Sequence, residues 1–478
     1  MTADTRSRWL ALCVLCLGSL MIVLDATIVN VALPSIKEDL GFSNESLVWV
    51  SDAYLLTFGG FLLLAGRLGD LFGGRRLFVA GITLFTVASC ACGLAQSQGV
   101  LIAARAVQGV GGAAASAVGF ALVMTLFTED RDRAKAMGVM GFVAAGGGSL
   151  GVVLGGVLTD ALDWHWIFLV NLPIGAAVVV LSLLLVPGGR GLATSSRIDL
   201  RGAATVTGAL LLAVYAIEDG NRAGWGSLQT IGFLAGSAVL LFAFVLVESR
   251  VDEPLVPLSL FRLRNLTSAN AAGVLWAGAM FAWFFLAAQY LQRVLGYSPL
   301  EVGLAFLPGN LIMGVFSLGL SAKLVLRYGV RAPLGGGLLL AAAGMVLLAR
   351  APVDGSFAVD VLPSMILLGF GAGMAFNPIL LAAMGDVEPH QAGLASGVVN
   401  TSFMMGGALG LAGFVSLSAA RSDTLRSAGE SQEAALTGGY HAAFLAGTGC
   451  ALAAAAIGAF LLRPASAPET AGEAAFAE

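Results

Sequence analysis

The chain has 478 residues, and its 25 Lys and Arg with 29 Asp and Glu make it 11% charged against 58% apolar. An average soluble domain is about 25% charged and about 45–50% apolar, so these proportions, with a mean hydropathy of +0.89, leave nothing from which to build a charged shell. Soluble enzymes, nucleic-acid binders, secreted disulfide scaffolds and disordered chains are excluded together, and lipid is the solvent for most of the molecule. A net charge of −4 names no partner. Cys13, Cys16, Cys90, Cys92 and Cys450 all fall in apolar stretches, where a thiol packs as a small hydrophobe. With His165, His390 and His441 scattered, no disulfide, metal or organic cofactor is expected.

A helix needs about 20 mainly apolar residues to cross the hydrocarbon layer. Between successive charge clusters the sequence predicts fourteen such helices, an all-α polytopic membrane protein. The first six run about Trp9–Leu33, Ser46–Ala65, Leu77–Ala95, Val100–Leu126, Ala136–Leu158 and Trp166–Val186. Two more follow at about Leu200–Ile217 and Leu228–Val247. The last six are about Thr267–Leu291, Leu300–Ser321, Pro333–Ala349, Val361–Met384, Gly393–Leu417 and Tyr440–Leu462. The first run is too long for a signal peptide, holds Asp25, and leads into further spans, so it is a membrane helix. The domains expected are residues 1–190, a first six-helix bundle; 191–264, two inserted helices; and 265–478, a second six-helix bundle with a short tail.

Lys and Arg set the orientation. They crowd the N-terminus (Arg6, Arg8) and the loops after even-numbered helices, among them Arg67, Arg75, Arg76, Arg131, Arg133, Lys135, Arg190, Arg197, Lys323, Arg327 and Arg331. The opposite side holds only Lys37, Arg222, Arg293, Arg350, Arg421 and Arg426. A multi-pass protein of the cell's inner (plasma) membrane with both termini in the cytoplasm is therefore expected.

The chain also repeats itself. At an offset of 256 residues Arg67, Phe72, Gly73 and Arg75 meet Lys323, Tyr328, Gly329 and Arg331; at 259, Gly138, Gly147, Gly148 and Gly151 meet Gly397, Gly406, Gly407 and Gly410. Helices 1–6 thus correspond to helices 9–14 in the same orientation, one of the plans on which secondary transporters are built. Chance similarity among glycine-rich helices is the competing reading. The run Gly146 to Leu158 places small residues at helical spacing, which suits both rocking bundles and tight static packing.

Ionisable groups at membrane depth are costly and by default functional. Asp25 lies about eight residues, or roughly 12 Å, from the outer end of its helix, Asp52 about six and Arg105 about five. All three reach similar depths, which permits an Asp–Arg contact. Asp25 is the expected proton carrier, exchanging hydrogen for cargo by competition, with Asp52 alongside and Arg105 organising the pocket. The competing reading is a carboxylate that only bridges helices. The offset of 256 carries Asp25 to Phe281 and Asp52 to Pro308, so the second half has no acidic counterpart. Its first helix holds Trp276, Phe281, Trp283, Phe284 and Phe285 instead, candidates for cargo contact or for facing lipid. Gln108, Gln289, Asn310, Asn377 and Asn400 are further polar candidates.

Four ordered motifs carry a resemblance over nearly the whole chain. LDATIVNVALP (Leu24 to Pro34), GRLGDLFGGRR (Gly66 to Arg76), LIAARAVQGVGGA (Leu101 to Ala113) and WHWIFLVNLPIG (Trp164 to Gly175) are similar to signatures of the major facilitator superfamily. In particular the chain resembles its fourteen-helix drug:proton antiporter branch. The resemblance implies a proton-driven exporter of amphipathic or aromatic drugs or secondary metabolites, cationic or neutral, working by alternating access as a monomer with no cofactor. It implies a latch at Gly66, Asp70, Gly73, Arg75 and Arg76 that holds the two bundles together on the inner side. It also implies a hinge at Gly147, Gly151, Gly155 and Gly156, although Val152 stands where the family's antiporter motif has proline. The alternatives are an importer of the same fold, a membrane enzyme, for which a His, Cys or Ser cluster with a base is missing, and a sensor without transport.

Overall fold

The structure is a computed structural model that describes residues 5–47, 49–189, 199–251, 254, 256–388 and 391–462; Arg190, Arg197, His390, the tail from residue 463 and the side chain of Val152 lie outside the described residues. All the regular elements described are helices, as expected where lipid offers the backbone no hydrogen bonds and each segment must satisfy its own. The first group comprises α1 (Thr5–Leu40), α2 (Asn44–Leu47), α3 (Trp49–Phe72), α4 (Gly74–Gly93), α5 (Gln98–Leu126), α6 (Asp130–Ala161), α7 (Trp166–Leu169) and α8 (Asn171–Leu185). Next come α9 (Leu200–Ala223) and α10 (Leu228–Glu248), and a 3-10 turn at Leu258–Arg262. The second group comprises α11 (Arg264–Arg293), α12 (Pro299–Val315), α13 (Ser321–Tyr328), α14 (Arg331–Leu348), α15 (Leu362–Gly385), α16 (Ala392–Ser427) and α17 (Gln432–Phe460). A π-turn at Phe316–Leu320 joins α12 to α13, and a second at Phe357–Val361 leads into α15.

Twelve helices among the described residues are long and apolar enough to cross a membrane. The other two predicted spans are α6 and α9, helices of 32 and 24 residues. At 1.5 Å per residue they reach about 48 and about 36 Å. α1 outruns its predicted end, continuing through Pro34 to Leu40, because Ile36 is fully buried and Asp39 accepts a 3.0 Å hydrogen bond from the Trp164 indole.

In the first group α5 packs on α3 and α4, and α1 on α6 and α8; in the second α15 packs on α12 and α14, and α11 on α16 and α17. α9 pairs with α10 and lies along α3 and against α16, so the inserted pair flanks the seam between the groups. The repeat is visible in individual contacts. A Cβ added at Gly81 would sit 2.7 Å from Ala115 N and 2.8 Å from Gly111 O; one at Gly337 would sit 2.8 Å from Ala375 N and 2.7 Å from Gly371 O. Gly147 and Gly151 abut Val23 and Thr27 on α1, as Gly406 and Gly410 abut Val274 and Gly278 on α11. The first helices of the halves therefore align at 251 residues, not 256, because their connections differ in length. This corrects the counterpart of Asp25, which is Trp276 rather than Phe281.

The halves meet at the end that carries the arginine-rich loops. Gly66 on α3 touches Gly393 and Gly397 on α16. By the pseudo-symmetry, α6 meets the π-turn: a Cβ at Gly138 would run into the Ser317 carbonyl, and one at Gly141 would lie 2.7 Å from Asn377 Oδ1. Asn400 Nδ2 donates to Ser116 O across the same seam at 3.4 Å. That basic end is shut.

Backbones in such contact have no room for a side chain. At Gly397 an added Cβ already lies 3.1 Å from Leu62 O and 3.3 Å from Gly66 Cα, and overpacking costs about 1–3 kcal/mol. In a background lacking the native cysteines, Gly397→Val will label a Ser116→Cys reporter from the basic side roughly tenfold faster with an impermeant maleimide. An unchanged labelling rate contradicts a seam closed by glycine contact.

Candidate functional site

Four helices of the first half converge on Asp25. Arg105 and Gln108 are one turn apart on α5, so they share a face, as Ser89 and Cys92 do on α4. Asp25 Oδ2 accepts from Arg105 Nη1 at 2.5 Å. Oδ1 accepts from Gln108 Nε2 at 2.8 Å and from Asn171 Nδ2 at 3.0 Å. Both amides also donate to Ser89 Oγ, at 3.1 and 2.9 Å, and that hydroxyl donates to Phe168 O at 3.1 Å. The Cys92 thiol lies 3.6 Å from Gln108 Oε1. Asp25 and Gln108 are 0% exposed and Arg105 1%.

The guanidinium has further partners. Nη1 donates to Gln108 Oε1 at 2.7 Å and Nε to Val50 O, at the start of α3, at 2.9 Å. Its carbon sits 4.3 Å from the centre of the Tyr54 ring and 5.7 Å from that of Phe168, the geometry of cation–π attraction, which is strongest where water is excluded. Asp52, in the first turn of α3 and 6% exposed, lies two residues from Val50. The expected Asp–Arg contact is thus made by Asp25. Among the described residues, every hydrogen-bond donor to its carboxylate belongs to the first half.

The corresponding place in the second half is hydrocarbon. The glycine contacts pair α4 with α14 at 256 residues and α5 with α15 at 260. Ser89, Cys92, Arg105 and Gln108 then map to Met345, Leu348, Met365 and Leu368, each no more than 1% exposed. Trp276 fills the place of Asp25 at 0% exposed, its indole N–H without a hydrogen-bond partner among the described residues.

At the shut end, Asp70 is 7% exposed and crosses the seam. Its two oxygens accept from the backbone N–H groups of Gly393 and Leu394, each at 2.7 Å. Gln391, at the N-cap of α16, offers no side-chain cap. The carboxylate therefore satisfies orphan donors and the positive end of the helix dipole from the other half of the molecule. Gly66 makes the close approach possible, and Gly73 takes φ 96° at the entry to α4, a conformation that favours glycine. Arg75 departs from the expected latch. Its Nη1 donates to Leu183 O and Val186 O at 3.4 and 3.2 Å, capping α8 within its own half. Its repeat partner Arg331 does the same for Leu462 O beyond α17. Arg76 is exposed.

Of the hinge glycines, Gly147, Gly151 and Gly155 face Val23, Thr27 and Ile28 on α1, and Gly156 faces open space. Among the expected cargo contacts, Gln108 belongs to the network, and Trp276 and Trp283 are buried inside the second half. Phe284 stacks on Phe306 at 5.4 Å, and Phe285 is 42% exposed. Phe281 is half-buried against Phe403, Gln289 is half-buried and Asn310 is buried. Asn377 and Asn400 lie in the seam. Asn171 and Ser89 were not singled out by sequence: Asn171 sits within the quoted WHWIFLVNLPIG, but Ser89 carries no local signal. Among the described residues no group of three His, Cys, Asp or Glu could hold a metal ion.

The sequence profile described as Major Facilitator Superfamily matches residues 15–411. The puromycin resistance protein pur8 of Streptomyces alboniger is 42% identical over 407 residues, 85% of this chain and 80% of its own length. The cephamycin export protein CmcT of Amycolatopsis lactamdurans is 38% identical over 86% of this chain and 85% of its own. The lincomycin resistance protein of Streptomyces lincolnensis is 38% identical over 87% and 85%. The fold matches the human organic anion transporter MFSD10 with a TM-score of 0.68 at 18% identity, covering 94% of this chain and 99% of that one.

Removing one member of a buried ion pair strands the other, at about 3–5 kcal/mol, whereas apolar replacement of both is often neutral. The second half already shows the apolar solution. Arg105→Met will lower the thermal midpoint in detergent, and adding Asp25→Leu will recover most of the loss. A double variant no more stable than Arg105→Met contradicts the pairing.

Proposed function

Since the chain belongs to the major facilitator superfamily, we propose that it exports amphipathic and aromatic compounds across the inner (plasma) membrane in exchange for protons, by alternating access. Both ends lie in the cytoplasm, the chain crosses fourteen times, it acts as a monomer, and it uses no cofactor. The names of its relatives support export of antibiotic-like compounds. The observation that carries the coupling is the fully buried Asp25–Arg105 pair.

A proton falling through about 100 mV supplies roughly 2.3 kcal/mol. Protonation of Asp25 takes away the counter-ion of Arg105, whose Nε holds the first turn of α3. α3 runs unbroken from there to Asp70, about 30 Å away at 1.5 Å per residue, where the seam is closed. Loss of the ion pair therefore acts on the latch through one rigid helix, and cargo competes with the proton by favouring one closed end over the other. In this reading the competition between hydrogen and cargo expected at Asp25 runs through the closed ends of the molecule.

Cells expressing the chain will accumulate less ethidium than cells without it, and a protonophore will abolish the difference. Asp25→Asn will reduce this proton-driven efflux by at least about tenfold. Unchanged or greater ethidium accumulation on expression contradicts export, and full efflux by Asp25→Asn contradicts its role as carrier.

A further inference from the structure

We propose that the π-turn at Phe316–Leu320 is a one-residue insertion that works as a joint: it is wound as π while the basic end is shut and as α when that end opens, turning α13 against α12. The inference goes beyond the export reading, since it concerns how the basic end opens, whatever passes and in whichever direction.

Contacts on either side of the turn locate the extra residue. Before it, Tyr54 O lies against Gly109 as Gly309 O lies against Gly369, and Leu62 O stands over Gly397 as Ser317 O stands over Gly138. Both pairs relate α3 to α12 at 255 residues. After it, Gly73 and Gly329 end their helices with φ of 96° and 72°, and Arg75 and Arg331 cap the last helices of their halves. Those pairs stand at 256 residues. One residue has therefore entered between Ser317 and Gly329, and the π-turn is where the helix takes it up without moving either flank. α3 has no such break and runs as one helix from Trp49 to Phe72.

The insertion changes where backbone hydrogen bonds go. Ser321 N–H donates to Phe316 O, five residues back, and so leaves the Ser317 carbonyl, which would be its partner in an α-helix. That carbonyl accepts instead from Asn377 Nδ2 at 3.3 Å. The place of Asn377 in the first half, at the 260-residue alignment of α5 with α15, is held by Ala117, fully buried beside an unbroken helix. Asparagine and insertion thus go together. Ser317 O has one partner in each form of the turn, the Asn377 amide in π and the Ser321 N–H in α, which makes the turn an element of two discrete arrangements. With the extra residue retained, passing from π to α rotates α13 by about 100° against α12. The seam favours π, because α6 packs Gly138 onto the Ser317 carbonyl and Gly141 against Asn377 Oδ1. When α6 leaves, both contacts go at once. In the shut form Asn377 Oδ1 and Ser321 Oγ are buried without hydrogen-bond partners among the described residues, so rearrangement has polar groups to satisfy. A π-turn inside a helix is also a recognised cause of bending.

The test uses the full chain in membrane vesicles, without its native cysteines, with a Ser116→Cys reporter and an impermeant maleimide on the basic side. Deletion of Leu318, 38% exposed, restores a continuous helix and keeps both flanks aligned. The deletion variant will fold with a thermal midpoint no lower than that of the intact chain, and its reporter will label about tenfold more slowly. Asn377→Leu strands the Ser317 carbonyl in the π form only. It will speed labelling about tenfold in the intact chain and less than about twofold in the deletion variant. Hydrogen exchange on the purified, unaltered chain reads the joint a second way: amides of residues 321–327 will exchange at least about tenfold faster than their counterparts at 65–71 on α3. The joint is overturned if the chain cannot fold without Leu318, or if the deletion leaves labelling unchanged or faster. It is equally overturned if Asn377→Leu acts alike in both backgrounds, or if the two segments exchange alike. These readouts need neither a proton gradient nor cargo. A chain that passes them yet fails to lower ethidium accumulation in cells contradicts export and leaves the joint standing.

Discussion

One ion pair sealed from water organises the first half of this molecule. Asp25 and Arg105 are each at most 1% exposed, at a depth where an unpaired charge costs several kcal/mol. The sequence meets that cost with a shell of partners: three donors to the carboxylate, a carbonyl and an amide oxygen for the guanidinium, and two aromatic faces. Neither charge can change state without disturbing α1, α3, α4, α5 and α8 together. An apolar core of the same shape would hold the helices equally well.

The second half supplies that comparison. It repeats the glycine contacts of the first, with Gly337 on Gly371 as Gly81 is on Gly111, yet fills the corresponding centre with Trp276, Met345, Met365 and Leu368. Two halves that share a backbone plan differ at their centres: one buries an ion pair, the other hydrocarbon. The latch shows the same division. Asp70 caps α16 from across the seam, while the position related to it by the repeat is Leu326, and there the halves meet through a π-turn and the Asn377 amide. α3 joins the two sites, since it begins at the carbonyl held by Arg105 and ends near the carboxylate that closes the basic end.

Much of this was legible in the sequence, because lipid imposes simple rules. Spans, family motifs and the contact between Asp25 and Arg105 follow from hydropathy and from the cost of buried charge. Partners across helices were harder. Nothing local marks Ser89 as the hydroxyl that ties two amides together. Arg75 read as part of a bridge because its motif is charged, whereas its length and position let it reach the carbonyls ending α8, the same task that Arg331 performs. The alignment of α1 with α11 moved by five residues for a similar reason: loop lengths displace a repeat counted along the chain, and only contacts between backbones restore it.

In the proposed coupling the charge state of Asp25 governs the seam closed by Asp70, some 30 Å away along α3. Pulsed electron–electron resonance between spin labels at Phe72→Cys and Asp386→Cys, both exposed at the basic end, measures that seam directly. A single short distance is expected with Asp25 intact, and a second, longer distance that becomes dominant with Asp25→Asn. Identical distance distributions for the two proteins would contradict it.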